Sequence, residues 1–345
     1  MTMYDKPFLT YEEQIEKLKN DYELLIDLNS TTIEIELLKT LSYYDLVNGY
    51  KECFMENEKF LKDITLYEIF IFSVKDKEFQ NILLHHSITV ENIFKNKMAY
   101  LIAKKKGVHH DDYLDENKYH VSNPKRQYKL RELLNKLKDI CLNPKEQPTL
   151  YYKNNHDHIP PWILFKNITF NNIIDLFSFL EKSEKLEIIN DYSLFNNSNI
   201  TDNEKLELFK NMISVTRRFR NKIAHNFKII GVTLDKIQIQ TSVLKKIDTF
   251  GILSNIDIQE QRGRNDIFSM FLSILFLLDS KMLCTLFLRD VYSFSLITYS
   301  DETNIAIDMS KFYFERLNMP ADFSEKIKKI FTNEKNNTIA YLKKK

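Results

Sequence analysis

The chain has 345 residues and a mass of 41.3 kDa, with 49 basic against 48 acidic side chains and a formal net charge of +1. Hydrophobic residues make up 43% and aromatics 13%, which excludes a disordered chain, because that much apolar surface can offset the entropy of ordering. Glycines occur only at positions 49, 107, 231, 251 and 263, so glycine-rich phosphate loops are excluded and a helical protein is expected.

Cys53, Cys141 and Cys284 are too far apart in sequence for a metal knuckle or redox pair, and no metal or cofactor is expected. The start, MTMYDKPFLTYEEQ, lacks the basic-then-apolar pattern of a signal peptide, so a cytoplasmic location is expected. The most apolar run, IFSMFLSILFLL from Ile267 to Leu278, is shorter than the roughly 20 residues of a membrane span. It is expected to be a buried helix, with no membrane partner.

In chain order, Thr10-Tyr11-Glu12-Glu13 is a capping box that opens a short helix. Ser30 to Phe54 reads as a second helix, and Leu66 to Phe72 and Ile88 to Ala103 carry separate helical patterns. His85-His86 is expected just before a helix, half-buried. Gly107 to Pro124 is polar and irregular, an expected exposed loop. Gln127 to Ile140 is a basic amphipathic helix. Asn143 to Pro161 holds four of the seven prolines and reads as a connection. Asn171 to Leu180 and Thr201 to about His225 are helical, whereas Ile229 to Ile258 fits strands or loops equally. Ile267 to Leu288 is expected to be the most buried helix, and the segment from Ala321 a solvated one.

Charge is uneven. Residues 1–94 carry 18 acidic and 9 basic side chains, whereas residues 95–140 carry 12 basic and 6 acidic ones. The last 25 residues hold 7 lysines against 3 acids. A nearly neutral total therefore conceals basic segments suited to a polyanion.

Thr201-Asp202-Asn203-Glu204 is another capping box, which fixes the start of the next helix. At 100° per residue, Met212, Thr216, Phe219 and Ile223 form one narrow core-facing stripe. Arg217, Asn221 and His225 follow at i, i+4 and i+8 on the opposite side, with Arg218 beside them and Arg220 at the edge between the faces. A histidine at the end of a helix, on its polar side, is not core filler, and the cations around it would attract a phosphate.

The sequence RRFRNKIAHN resembles the HEPN ribonucleases, whose signature is an arginine followed four to six residues later by histidine. Asn directly after Arg220 and Ala directly before His225 sharpen that resemblance. More of the chain fits. The segments KPFLTYEEQIEKL, LSYYDLVNGY, VENIFKNKMAYLIAKKKG and IPPWILFKNITFNNIIDLFSFL, in that order before RNKIAH, are similar to abortive-infection (Abi) proteins of the AbiD/AbiF type. The resemblance covers roughly residues 6 to 230 and departs after His225, where Asn226 and Phe227 stand.

The resemblance implies an all-α fold: an N-terminal helical lobe over residues 1–75, a HEPN-like helical bundle over 76–300 and a basic helical C-terminal tail over 301–345. It implies a phage-defence endoribonuclease that needs no metal, acts as a homodimer with a composite site and is restrained by a structured small RNA or another partner. Arg220, Asn221 and His225 would be the catalytic residues. His225 would transfer protons, Arg220 would stabilise charge on the phosphorane, and Asn221 would orient the imidazole or bind phosphate. Arg218 also fits the spacing, and with Arg217 and Lys222 is expected to contact the RNA backbone. Lys104, Lys105, Lys106, Lys125, Arg126, Lys129 and Arg131 form a further expected RNA-phosphate surface, interleaved with Tyr119 and Tyr128.

Other readings remain open at this level. Arg220 pairs with an acid such as Glu207 or Asp191 if the helix end is only structural. The protein is then a non-catalytic RNA-binding regulator, or an interaction module working through its acidic N-terminal part. His109-His110-Asp111-Asp112 is expected to be a solvated loop rather than a metal site, and His156-Asp157-His158 lacks a third ligand. Trp162, after Pro160-Pro161, is expected to anchor the core.

Overall fold

The computed structural model describes residues 6–196, 198–296 and 309–343. These form an all-α bundle. It starts with α1 (Tyr11–Tyr22), capped by Thr10 and Glu13, and α2 (Thr32–Leu41). The expected helix from Ser30 to Phe54 is instead broken. After Ser42, at a positive φ of 64°, the chain passes through a wide turn, Tyr44–Asn48, and a tight one, Lys51–Cys53. A small hairpin follows, β1 (Met55–Glu56) and β2 (Lys59–Phe60), in which Asn57 and Glu58 both have positive φ, the geometry of a two-residue turn that matches strand twist.

The centre of the molecule is α3 (Leu66–Lys106), a single helix of 41 residues that joins the two segments the sequence pattern keeps apart. Its start is fixed by a capping box of Thr65 and Glu68. Between the two apolar stretches it buries Lys75, Asp76, Gln80 and His86, so hydrophobic periodicity lapses there while the helix continues. The boundary expected after residue 75 falls inside this helix. His85 and His86 lie within it too, His85 exposed and His86 buried with Nε2 2.9 Å from Asp290.

The segment beyond Gly107 contains α4 (His110–Tyr113) and buries Tyr113, Leu114 and Tyr119, so it is not the exposed loop its polarity suggests. Next come α5 (Pro124–Leu142), α6 (Thr149–Asn155), α7 (Pro161–Leu164), α8 (Phe170–Ser178), α9 (Lys182–Asn190) and α10 (Asp202–Ala224). Trp162 is not a core anchor: α7 turns Pro161 and Leu164 inward and leaves the indole 46% exposed. Residues 229–258 form no strand. They run as irregular chain around α11 (Thr241–Lys246), and α12 (Asn255–Gln259) follows.

The apolar run is fully buried, but as α13 (Ile267–Leu277), which ends before Asp279 at φ 49° and restarts as α14 (Lys281–Ser295). Asp279 accepts the Ser193 amide at 2.7 Å and pairs with Lys97 at 2.8 Å, which holds the break in place. The last elements are α15 (Met309–Arg316) and α16 (Phe323–Lys343). The tail is docked rather than solvated. Tyr313 and Phe314 are buried as α15 packs on α3, and Phe323, Ile327 and Ile330 are buried along α16, which lies on α14. The boundary expected between residues 300 and 301 lies outside the described residues. Among those described, no helix is long and apolar enough to cross a membrane.

Asp76, fully buried on α3, is bound by three donors: Tyr50 Oη and Tyr313 Oη at 2.8 Å each and Gln80 Nε2 at 2.6 Å. Burial pushes its pKa above the ordinary carboxylate value, against the pull of these hydrogen bonds. Leaving a buried acceptor short of one donor typically costs about 1–3 kcal/mol. Tyr313→Phe is therefore expected to lower stability by about that amount in urea unfolding, and Tyr50→Phe similarly; a change near zero for both would remove Asp76 as the tie between α3 and α15.

Candidate functional site

The capping box that opens α10 is present: Thr201 Oγ1 accepts the Glu204 amide, and Glu204 accepts the Thr201 amide at 2.8 Å. That amide and the Lys246 ammonium at 2.9 Å pull the Glu204 carboxyl down from 4.5 to about 2. Met212, Thr216, Phe219 and Ile223 are all buried as α10 packs on α3 and α13, as their spacing predicts. With the start capped and one stripe fixed, the azimuth of every other residue on α10 is set.

The C-terminal end of α10 has a definite geometry. His225 is the cap, the Asn226 amide donates to Ile223 O at 2.9 Å, and the Phe227 amide donates to Lys222 O at 3.0 Å. This is the Schellman pattern, with Asn226 at φ 62° in the left-handed position that Gly or Asn tolerates. Lys77 on α3 reaches across and donates to the Asn226 carbonyl at 3.1 Å. Burial lowers the Lys77 pKa, which Asp76 and Asp45 partly offset.

His225 is exposed and lines a cleft of about 860 Å³ between the turns at 40–50, α3 and the end of α10. Lys77, Lys222 and Lys228 line it as well, with the acids Asp45 and Glu78. Lys228 stands 4.0 Å from Glu52, and Lys222 has no ion-pair partner among the described residues.

Arg220 points elsewhere. Five residues before His225, it lies about 140° round the helix, and its Nη2 is 3.3 Å from Glu91 of α3. Its Nη1 donates to Asn221 Oδ1 at 3.1 Å, and its Nε is buried without a hydrogen-bond partner. Glu91 gives its other oxygen to Lys95 at 2.8 Å. The acid that holds Arg220 is thus neither Glu207 nor Asp191. Arg218 is exposed, within about 20° of the His225 azimuth, and makes no ion pair among the described residues.

The remaining expected phosphate contacts divide into two sets. Lys104 and Lys105 share Glu187, at 2.8 and 3.5 Å. Lys106 is buried against Glu184 at 2.6 Å, and Arg131 binds Glu116 through two contacts of 3.1 Å. Tyr119 is buried, whereas Tyr128 is 62% exposed. Lys125, Arg126 and Lys129 instead meet Arg217 across two adjoining hollows of about 780 and 730 Å³, which share Arg126, Asp175 and Ser178. Lys136, Lys182, Lys185 and Lys210 line the same surface and escaped sequence reasoning. Lys210 could have been found, since it stands two helical turns before Arg217 on the same face.

His109, His110 and Asp111 bring ligand-type atoms within 4.8 Å of one another, and the His158 ring stacks 5.8 Å from that of His109. Two of the ring nitrogens are already acceptors: His109 Nδ1 takes the Asp111 amide at 3.2 Å and His110 Nδ1 the Ile159 amide at 3.3 Å. His109 is also the N-cap of α4.

The fold and site define an all-α protein in which an exposed histidine closes a long helix beside a lysine-lined cleft. A family model described as Abi-like protein matches residues 36–230, more than half of the chain and just past His225. The chain therefore belongs to the Abi-like family, which associates it with abortive infection as a phage defence. No curated protein matches it, and no solved structure does.

Removing one member of a buried ion pair strands the others, typically at about 3–5 kcal/mol. Glu91→Ala, which leaves Lys95 and Arg220 without their acid, is expected to destabilise by that order, whereas Arg220→Ala, leaving Glu91 with Lys95, costs less; a double-mutant cycle in urea reads the coupling. Because its folded-state pKa is depressed, the Glu204 carboxylate contributes stability above pH 4.5 that is lost as pH falls towards about 2. Thermal unfolding of wild type should weaken more over that interval than that of Glu204→Gln, and equal slopes would remove Glu204 from the acid response.

Proposed function

We propose that this Abi-like protein is a HEPN-type endoribonuclease that cleaves RNA without a metal and is held latent by a small RNA or another partner. The observation that carries the reading is the His225 ring, exposed at a helix end in a cleft with Lys77, Lys222 and Lys228. Imidazole exchanges protons near neutral pH, and the ammonium groups supply the positive field that a phosphodiester requires.

In the reaction, His225 takes the proton of a ribose 2′-hydroxyl as its oxygen attacks the adjacent phosphorus. The bond to the 5′-oxygen breaks, and that oxygen receives a proton from a second acid. The products are a 2′,3′-cyclic phosphate and a 5′-hydroxyl. In a homodimer with a composite site, His225 of the partner subunit fills the second role. Arg220 must give up Glu91 to reach the phosphate, which fits a latent enzyme, whereas Arg218, exposed on the His225 side, makes no ion pair among the described residues. Asn221 holds the Arg220 fork between them.

A second reading, an RNA-binding regulator without catalysis, is favoured by the engagement of Arg220 and by the cationic hollows around Arg126 and Arg217. The test incubates the full chain with RNA in EDTA and maps product ends. Cyclic-phosphate ends are expected, and His225→Ala should lower the rate by about 10²-fold or more while retaining RNA affinity. Retained cleavage in His225→Ala, or products with 5′-phosphate ends, would overturn the enzymatic reading; binding without cleavage in both proteins would leave the regulator.

A further inference from the structure

The Schellman ending of α10 leaves an aromatic ring more than half exposed. In this pattern the residue after the left-handed position usually packs on the residue three before the cap. Those residues are Phe227 and Lys222, so a lysine stands where the usual apolar partner would be. Phe227 is 60% exposed and lines the cleft next to His225. Across the α10–α3 junction, Tyr44 in the turn after α2 is 74% exposed and lines the same cleft.

Two rings this bare, in one cleft where Lys77, Lys222 and Lys228 outnumber Asp45 and Glu78, have the composition of a single-strand nucleic-acid subsite. Aromatic faces take bases of any sequence, and ammonium groups take the backbone. An apolar peptide would use the rings but not the lysines, and a folded duplex would present phosphates but no base faces. The geometry points to a nucleobase subsite formed by Tyr44 and Phe227, which holds one unstacked base of a single-stranded RNA while Lys222 and Lys77 face its phosphate. This deepens the ribonuclease reading and rests on RNA being the polymer that enters the cleft. It assigns single-stranded RNA, rather than duplex, as the form that reaches His225, and makes the N-terminal turns part of the substrate site.

The test is a binding measurement on the full chain with a fluorescent oligouridylate carrying 2′-O-methyl groups, which lacks the attacking hydroxyl and survives cleavage. An abasic oligomer of equal charge reports backbone binding alone. Phe227→Ala and Tyr44→Ala are each expected to weaken the oligouridylate about tenfold, within the range that stacking on one base provides. Neither should change the abasic oligomer, and Phe227→Trp should restore affinity. Lys222→Ala should weaken both oligomers and shallow the salt dependence by about one. Both rings are exposed, so unchanged thermal unfolding separates loss of stacking from loss of fold. Equal binding of the two oligomers by wild type and the alanine variants would overturn the subsite. A dimer-to-monomer shift in sedimentation with RNA affinity unchanged would also overturn it, assigning the rings to a contact between copies. Failure of His225→Ala to affect cleavage would sink the ribonuclease reading while leaving the stacking result standing.

Discussion

The structure depends on polar side chains buried along one helix. A helix surrounded by others usually presents an apolar surface, but α3 carries Asp76, His86, Glu91, Lys95 and Lys106 into the interior. Each would be costly there without a partner, and each is met by a different part of the chain. Tyr50 and Tyr313 donate to Asp76, and Asp290 meets His86. Arg220 meets Glu91, the Ile168 carbonyl accepts from Lys95 at 2.6 Å, and Glu184 meets Lys106. Apolar burial provides most of the stabilisation, since it is not directional. The buried polar groups supply what burial lacks, a preferred position along the helix for every element that packs on it.

This division explains which parts of the fold the sequence reveals. α10 is legible because its start is written locally, in Thr201 and Glu204, and its core stripe keeps a regular helical period. α3 is only half legible, because the polar residues that organise the molecule interrupt the periodicity that would announce the helix. Thr65 and Glu68 did carry a local sign of its start. The single buried helix expected from Ile267 to Leu288 divides because Asp279 is held by Ser193 and Lys97, from other parts of the chain. No local pattern encodes that. The tail reads as solvated because lysines dominate its composition, yet Phe323, Ile327 and Ile330 repeat at helical spacing and bury one face.

The site divides in the same way. The placement of His225 at a helix end on the polar side follows from helix arithmetic alone. Whether a cation near it is available does not, because availability depends on an acid distant in sequence. Glu91 engages Arg220, and Glu187 and Glu184 engage the three lysines that end α3, whereas Arg217 faces helices that begin far upstream. Spacing identifies residue types suited to phosphate. Packing decides which of them meet solvent.

One feature of the helix end reaches well beyond it. The carbonyl after His225 is bound by Lys77, Lys77 donates to Gln80 at 3.4 Å, Gln80 donates to Asp76, and Asp76 is bound by Tyr313. A ribosome completes α10 long before Tyr313 is made. During synthesis the histidine and Lys77 are therefore present while the far end of this relay is still missing, and a chain released early would display the motif with Asp76 short of one of its donors.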